Sequence, residues 1–230
     1  MTLHFKTDGL RATLEPLCQR VLEQFRLPAR GLLCFFDDED PPCFEQRFGR
    51  GYRGFHMRVE GSGRFPPYIE RLFFDSSGGL AFDNVIYLRG STCTTGTGAV
   101  ITFAHELQHF MQCENAHKVY VANTLLYKHL PSFEPGHATN PWDIPHEQDA
   151  MMVSKRVAEA VVGPDAVSSH AVSRIAAEDD VLYWKYFQGL SRPASFDLLE
   201  QTIPWVDKYR AQLLRLQQSE VDFSKPEWWR

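Results

Sequence analysis

Apolar residues recur at helical spacing through Leu14, Leu17, Cys18, Val21, Leu22 and Phe25, which predicts an amphipathic helix over 11–26. From 31 to 90 the texture changes to short runs of β-branched and aromatic residues. Pro41-Pro42, Gly61-Ser62-Gly63, Pro66-Pro67 and Gly78-Gly79 punctuate them. This predicts a small antiparallel or mixed sheet with strands near 31–36, 53–60, 69–74 and 81–89. Beyond Thr97 the helical period returns and persists, predicting helices at about 98–114, 117–129, 145–162, 166–189 and 195–219. A strand-rich first half (about 31–90) followed by a helical second half (about 97–220) reads as α+β, one domain over 1–230.

Composition narrows the function classes. The chain has 230 residues, with 24 Lys+Arg against 29 Asp+Glu and a net charge of -5, which argues against a nucleic-acid binder. With 43% hydrophobic and 13% aromatic residues it can bury a core, so disorder is excluded as the dominant state. No apolar run approaches the roughly 18–20 residues that span a bilayer, and the first residues lack a basic segment followed by an apolar one. A cytoplasmic protein without a membrane partner is the expectation. Five cysteines without a CxxC pair read as reduced thiols, so metal chemistry, if present, falls to the nine histidines.

Residues 105–109 read His-Glu-Leu-Gln-His, an HExxH motif. Composition alone produces such a pattern about 2% of the time, so context decides. On a helix, residues four apart stand one turn above each other and can present two imidazoles to one zinc ion. At about 100° per residue, with His105 at 0°, Val100, Phe103, Ala104, Leu107, Phe110 and Met111 form one stripe centred near 200°. His105 and His109 fall near 0° and 40°, away from that stripe. Thr97 is the expected N-cap. The Thr94-Thr95-Gly96-Thr97-Gly98 loop lacks the Gly-Lys-Ser/Thr of a phosphate cradle.

On these residues the chain resembles the HExxH zinc metallopeptidases, the zincins. The resemblance implies a zincin-like fold, with the strand-rich half packed on a zinc-binding helix. It also implies His105 and His109 as ligands of one Zn2+ per chain, and Glu106 as the general base. The metzincin continuation is absent, because Gln112 and Asn115 stand at its Gly and last His positions, and His117 lies two turns beyond His109. Gluzincins take a Glu from a following helix, and the stretch from Asn140 to Ala150 looks like the start of one. Asp143 would be its N-cap and Pro145 would sit in its first turn. Glu147 is then the third ligand, with His146 the alternative.

Thermolysin-like gluzincins carry an Asp four residues after the ligand Glu, but Met151 stands there. The run Glu147-Gln148-Asp149-Ala150 is closer to the Glu-x-x-Ala arrangement of minimal gluzincins of the ImmA/IrrE type. The acceptor that orients a ligand imidazole must come from elsewhere, with Asp149, Asp143 and Asp179 as candidates. The resemblance covers about 65 residues. It implies an edge strand beside the metal for extended substrate, assigned to Val85, Ile86 and Tyr87, with an ordinary core strand as the other reading.

His170, Tyr183 and Tyr186 are candidates for stabilising a tetrahedral transition state. Tyr183, Trp184, Tyr186 and Phe187 form an aromatic cluster that packs the second half, and Trp228-Trp229 staples the end of the chain. Asp37-Asp38-Glu39-Asp40 is expected to be a solvated turn. The function expected is a zinc metallopeptidase acting on a peptide or protein. The alternatives are a zinc-stabilised interaction or regulatory module without catalysis, and a hydrolase using zinc and water on another amide.

Overall fold

The computed structural model describes residues 1–28, 31–44, 52–59, 65–74, 78–135, 140–191, 196–216 and 220–230. Positions 60–63, 195 and 217–219, touched by the expectations above, lie outside them. The fold is α+β, a small four-stranded sheet among helices. The strands are β1 (Thr2–Phe5), β2 (Leu32–Phe36), β3 (Gly54–Arg58) and β4 (Asn84–Leu88). Their order is β1-β2-β4-β3. β1, β2 and β4 run parallel, and β3 is antiparallel to β4.

β2 and β4 read LLCFF and NVIYL because the central strands are covered on both faces, which suits unbroken apolar runs. Leu32, Cys34, Phe36, Ile86 and Leu88 face the helical core, whereas Leu33, Phe35, Val85 and Tyr87 face a second cluster built with Phe44, Phe55, Phe65 and Phe73.

The helices are α1 (Asp8–Leu22), α2 (Pro67–Glu70), α3 (Gly90–Cys93), α4 (Gly96–Asn115), α5 (His117–Phe133), α6 (Pro145–Val162), α7 (Pro164–Ala176), α8 (Val181–Gly189) and α9 (Leu198–Arg215). α4 carries HExxH and is the axle of the molecule. Its apolar stripe packs into the core with the sheet and α1, and its most extensive partner is α6. Beyond that stripe Glu106, His109 and Gln112 are buried as well, while His105 and Gln108 are half-buried. α5, α9 and the final residues form a third cluster, where Trp228 is buried beside Val221 and Phe223.

Several expectations are corrected. The segment near 69–74 is not a strand. Pro67 opens a helical turn at the position proline favours, and Ile69 and Phe73 are buried four residues apart, a helical interval. Only Phe74 makes a bridge, to Leu80. The helix expected over 166–189 is two, separated where Glu178 and Asp180 adopt positive φ of 55° and 48°. α4 is capped by Thr95, whose side chain accepts from the Gly98 N–H at 3.1 Å, not by Thr97. Ile144 is the N-cap residue of α6, and Asp143 belongs to a 3-10 turn over Pro141–Asp143.

Asp37 is not in a solvated turn but fully buried. Its carboxylate accepts from the Tyr68 and Tyr87 hydroxyls (2.7 and 2.8 Å), from Lys6, and from the backbone N–H groups of Asp38 and Glu39. Among the described residues no helix is long and apolar enough to cross a membrane.

Candidate metal centre

Two elements bring the donor groups together. His105 and His109 lie one turn apart on α4, and Glu147 sits in the first turn of α6, where its charge also suits the helix N-terminus. Because α4 and α6 pack along their length, the carboxylate reaches both imidazoles. His105 Nε2 and His109 Nε2 are 3.0 Å apart, and Glu147 Oε2 and Oε1 lie 3.4 Å from them in turn. Bonds of about 2.0–2.1 Å at tetrahedral angles separate two donors by about 3.3 Å. The triangle therefore has the size of three corners of a tetrahedral ion, and its nitrogen and carboxylate donors suit zinc. These three residues form a possible metal-binding triad.

The charges agree with a centre that attracts a cation. Burial alone would suppress protonation of His109, but the Glu147 carboxylate outweighs it and pushes this imidazole up to about 9. Glu147 is held well below the usual carboxylate range; burial opposes this, and the charge on His109 together with hydrogen bonds from both imidazoles overcomes it. Glu106, also buried, is shifted the other way. Its environment raises its pKa by burial first, against the pull of His105 and His109 and with added repulsion from Glu147. Neighbouring carboxylates pushed apart in this way suit different roles.

The orienting group is one the sequence reading passed over. Gln112 Nε2 donates to the His146 carbonyl and to Asp149 Oδ2, both at 3.0 Å. Two acceptors on that side force the amide oxygen toward His109, so Nδ1–H of His109 donates to Gln112 Oε1 at 2.9 Å. His109 thereby presents Nε2 to the triad. Asp149 serves through Gln112, and it also accepts from Gln108 Nε2 at 2.6 Å. Asp179 pairs with Arg174, and Asp143 lies near Tyr186. The signal for Gln112 was its place three residues after His109, on the same helix face.

The triad opens into a cleft of about 570 Å³. One wall is β3, an edge strand whose inward residues run along α4. Gly54 lies against Thr102 and Glu106, His56 against Phe110, and Arg58 reaches Glu114. Only glycine fits at 54, where a Cβ would come within 2.7 Å of the Tyr87 carbonyl. The His56 N–H hydrogen-bonds the Glu106 carboxylate. Tyr120 and Tyr127 of α5, together with His146, Trp142 and Tyr183, also line it.

The remaining expected site residues are sorted by this geometry. Val85, Ile86 and Tyr87 cannot hold substrate, which corrects their assignment: β4 is paired on both sides, and all three are fully buried. The edge strand beside the cleft is β3. Of the transition-state candidates, Tyr183 lines the cleft, whereas His170 is half-buried with its ring edge-on to Trp184, and Tyr186 accepts from Gln148. His146 is beside the triad, with Nε2 3.4 Å from Glu147 Oε1, but outside the donor group. Tyr120 and Tyr127 were missed; their signal was a spacing of seven on the helix after the motif. No family model, no curated protein and no solved structure matches this chain.

Proposed function

We propose that this chain is a zinc metallopeptidase of gluzincin type, with His105, His109 and Glu147 as ligands and Glu106 as general base. The observation that carries the reading is the triangle of donor atoms at tetrahedral spacing with a buried carboxylate from the same helical turn beside it. Support for a zincin-like arrangement comes from the HExxH helix under a sheet, the Glu147 helix packed on it, and an antiparallel edge strand along the cleft. A zinc ion held by these ligands supplies a Lewis acid that polarises a carbonyl and acidifies water.

The chain's own residues do the rest. The outer edge of β3 offers backbone groups to an extended peptide and aligns its carbonyl over the triad. Glu106 Oε takes the proton of the attacking water and returns it to the departing amine nitrogen. Its raised pKa brings it closer to the working pH, as proton transfer in both directions requires. Tyr127 and Tyr183, both pushed up to about 12 by burial first and by nearby carboxylates, keep their hydroxyl protons at neutral pH. Either can donate to the oxygen that gains charge in the transition state.

Metal analysis of the purified chain tests the ligand set: about one zinc per chain, lost in His105→Ala. Glu106→Gln should retain zinc and lose hydrolysis of a peptide that the unaltered chain cuts. Equal cutting by that variant refutes the mechanism. Zinc retention with no cleavage of any peptide pool supports the non-catalytic module instead.

A further inference from the structure

We infer that the cleft selects its substrate by a carboxylate and that Arg53 is the residue that reads it, a substrate class that rests on the peptidase reading above. Among the described residues lining the cleft, Arg53 is the one Lys or Arg. Its guanidinium carbon lies 3.9 Å from the Tyr183 ring centroid and 4.9 Å from that of Trp184, and its Nη2 donates to Asp180 Oδ2 at 2.9 Å. Stacking on aromatic faces holds a flat cation while leaving its in-plane N–H groups available.

A guanidinium carries five such donors in a rigid fork, and Asp180 takes one through a single oxygen. A carboxylate is the group whose two oxygens match what remains of that fork. The side chain is partly exposed, so a ligand in the cleft can reach it.

Its position relative to the chemistry is set by the backbone. The Arg53 carbonyl accepts from the Arg89 N–H at 3.2 Å and from Thr92 Oγ1 at 2.9 Å, which anchors the residue that leads into β3. Three residues further on, the His56 N–H meets the Glu106 carboxylate. At about 3.3 Å per extended residue, about 10 Å separates the two positions. A peptide lying along β3 therefore places a carboxylate at Arg53 when it stands within about three residues of the cut bond. An Asp or Glu side chain supplies it, or the terminal carboxylate of the peptide.

Pools of octapeptides with one position held as Glu, Gln or Lys, each made as free acid and as amide, test this. Retention is read by mass spectrometry on zinc-loaded Glu106→Gln protein, and cleavage on the unaltered protein. Glu pools should be retained about ten- to a hundred-fold over Gln pools if the side chain is read, or acids over amides by that factor if the terminus is read. Arg53→Gln should abolish the preference and leave Gln-amide pools within about twofold, and Arg53→Glu should shift it to Lys pools.

Equal retention of all pools, or no retention at all, overturns the proposal. So does an Arg53→Gln variant that weakens every pool alike, which would make the arginine a strap to α8. Carboxylate-selective retention without any cleavage keeps the subsite and removes the peptidase reading; cleavage without the preference does the reverse.

Discussion

Replacing Gln112 by Met keeps the volume and reach of the side chain and removes three hydrogen bonds, those to His109 Nδ1, the His146 carbonyl and Asp149. The imidazole then loses the acceptor that fixes its Nδ1–H tautomer and its rotation toward the triad. Removal of such a partner weakens a metal by about 10–100-fold, or about 1.4–2.7 kcal/mol. The fold suffers separately, because the His146 carbonyl and the His109 N–H lose partners, at about 1–3 kcal/mol for each buried group left unpaired. The two effects are separated by assay: zinc Kd by competition with a chromophoric chelator at 25 °C, and stability by urea unfolding of the metal-free chain. Asp149→Asn keeps an oxygen acceptor for the Gln112 amide and should give a smaller loss of affinity. A Gln112→Met chain that binds zinc within twofold of the unaltered one, whatever its stability, refutes the orienting role.

If zinc is the metal, as proposed, it must displace a proton from His109, whose pKa burial would lower but Glu147 lifts to about 9 from 6.5. Apparent affinity should therefore rise about tenfold per pH unit from about 6.5 to 9 and then level off, and a flat profile would contradict this. The sign for the metal-free fold is opposite: a raised His contributes stability that is complete below pH 6.5 and is lost as pH climbs through about 9. Tyr87→Phe removes one donor to the buried Asp37 and should cost about 1.5–3 kcal/mol in urea unfolding with zinc affinity unchanged; a loss of substrate binding instead would restore Tyr87 to the site. Gly54→Ala sets a Cβ against the Tyr87 carbonyl and Thr102 and should cost about 1–3 kcal/mol while lowering kcat through Glu106. Full activity in that variant would show that β3 does not position the base.

The core helices were legible because they are long and carry one strong period, and both central strands because they are unbroken apolar runs. LLCFF and NVIYL announce burial on both faces, and the stripe of α4 foretold which way His105 and His109 point. β1 escaped because four residues at a sheet edge carry too little alternation, and α2 because aromatic composition was weighed above the interval between Ile69 and Phe73. His105 and His109 were readable from local spacing and Glu147 from the resemblance, and the three come together as a possible metal-binding triad. Which strand forms the edge beside the cleft was not, because strand order depends on pairings between residues 26 to 52 apart that no local pattern records. The same holds for Gln112, whose role exists only once Asp149 and the His146 carbonyl arrive from α6.

The burial of most of α4 bears on which metal the triad could hold. The backbone positions that carry the two imidazoles are fixed by a helix packed between the sheet, α1 and α6. Calcium takes six to eight oxygens at 2.3–2.6 Å, and magnesium requires near-octahedral oxygens. Neither fits a rigid triangle of two nitrogens and one carboxylate whose edges are 3.0 to 3.4 Å. On the zinc reading proposed above, the packing around the ligands would disfavour the abundant hard cations, as the ligand types themselves do.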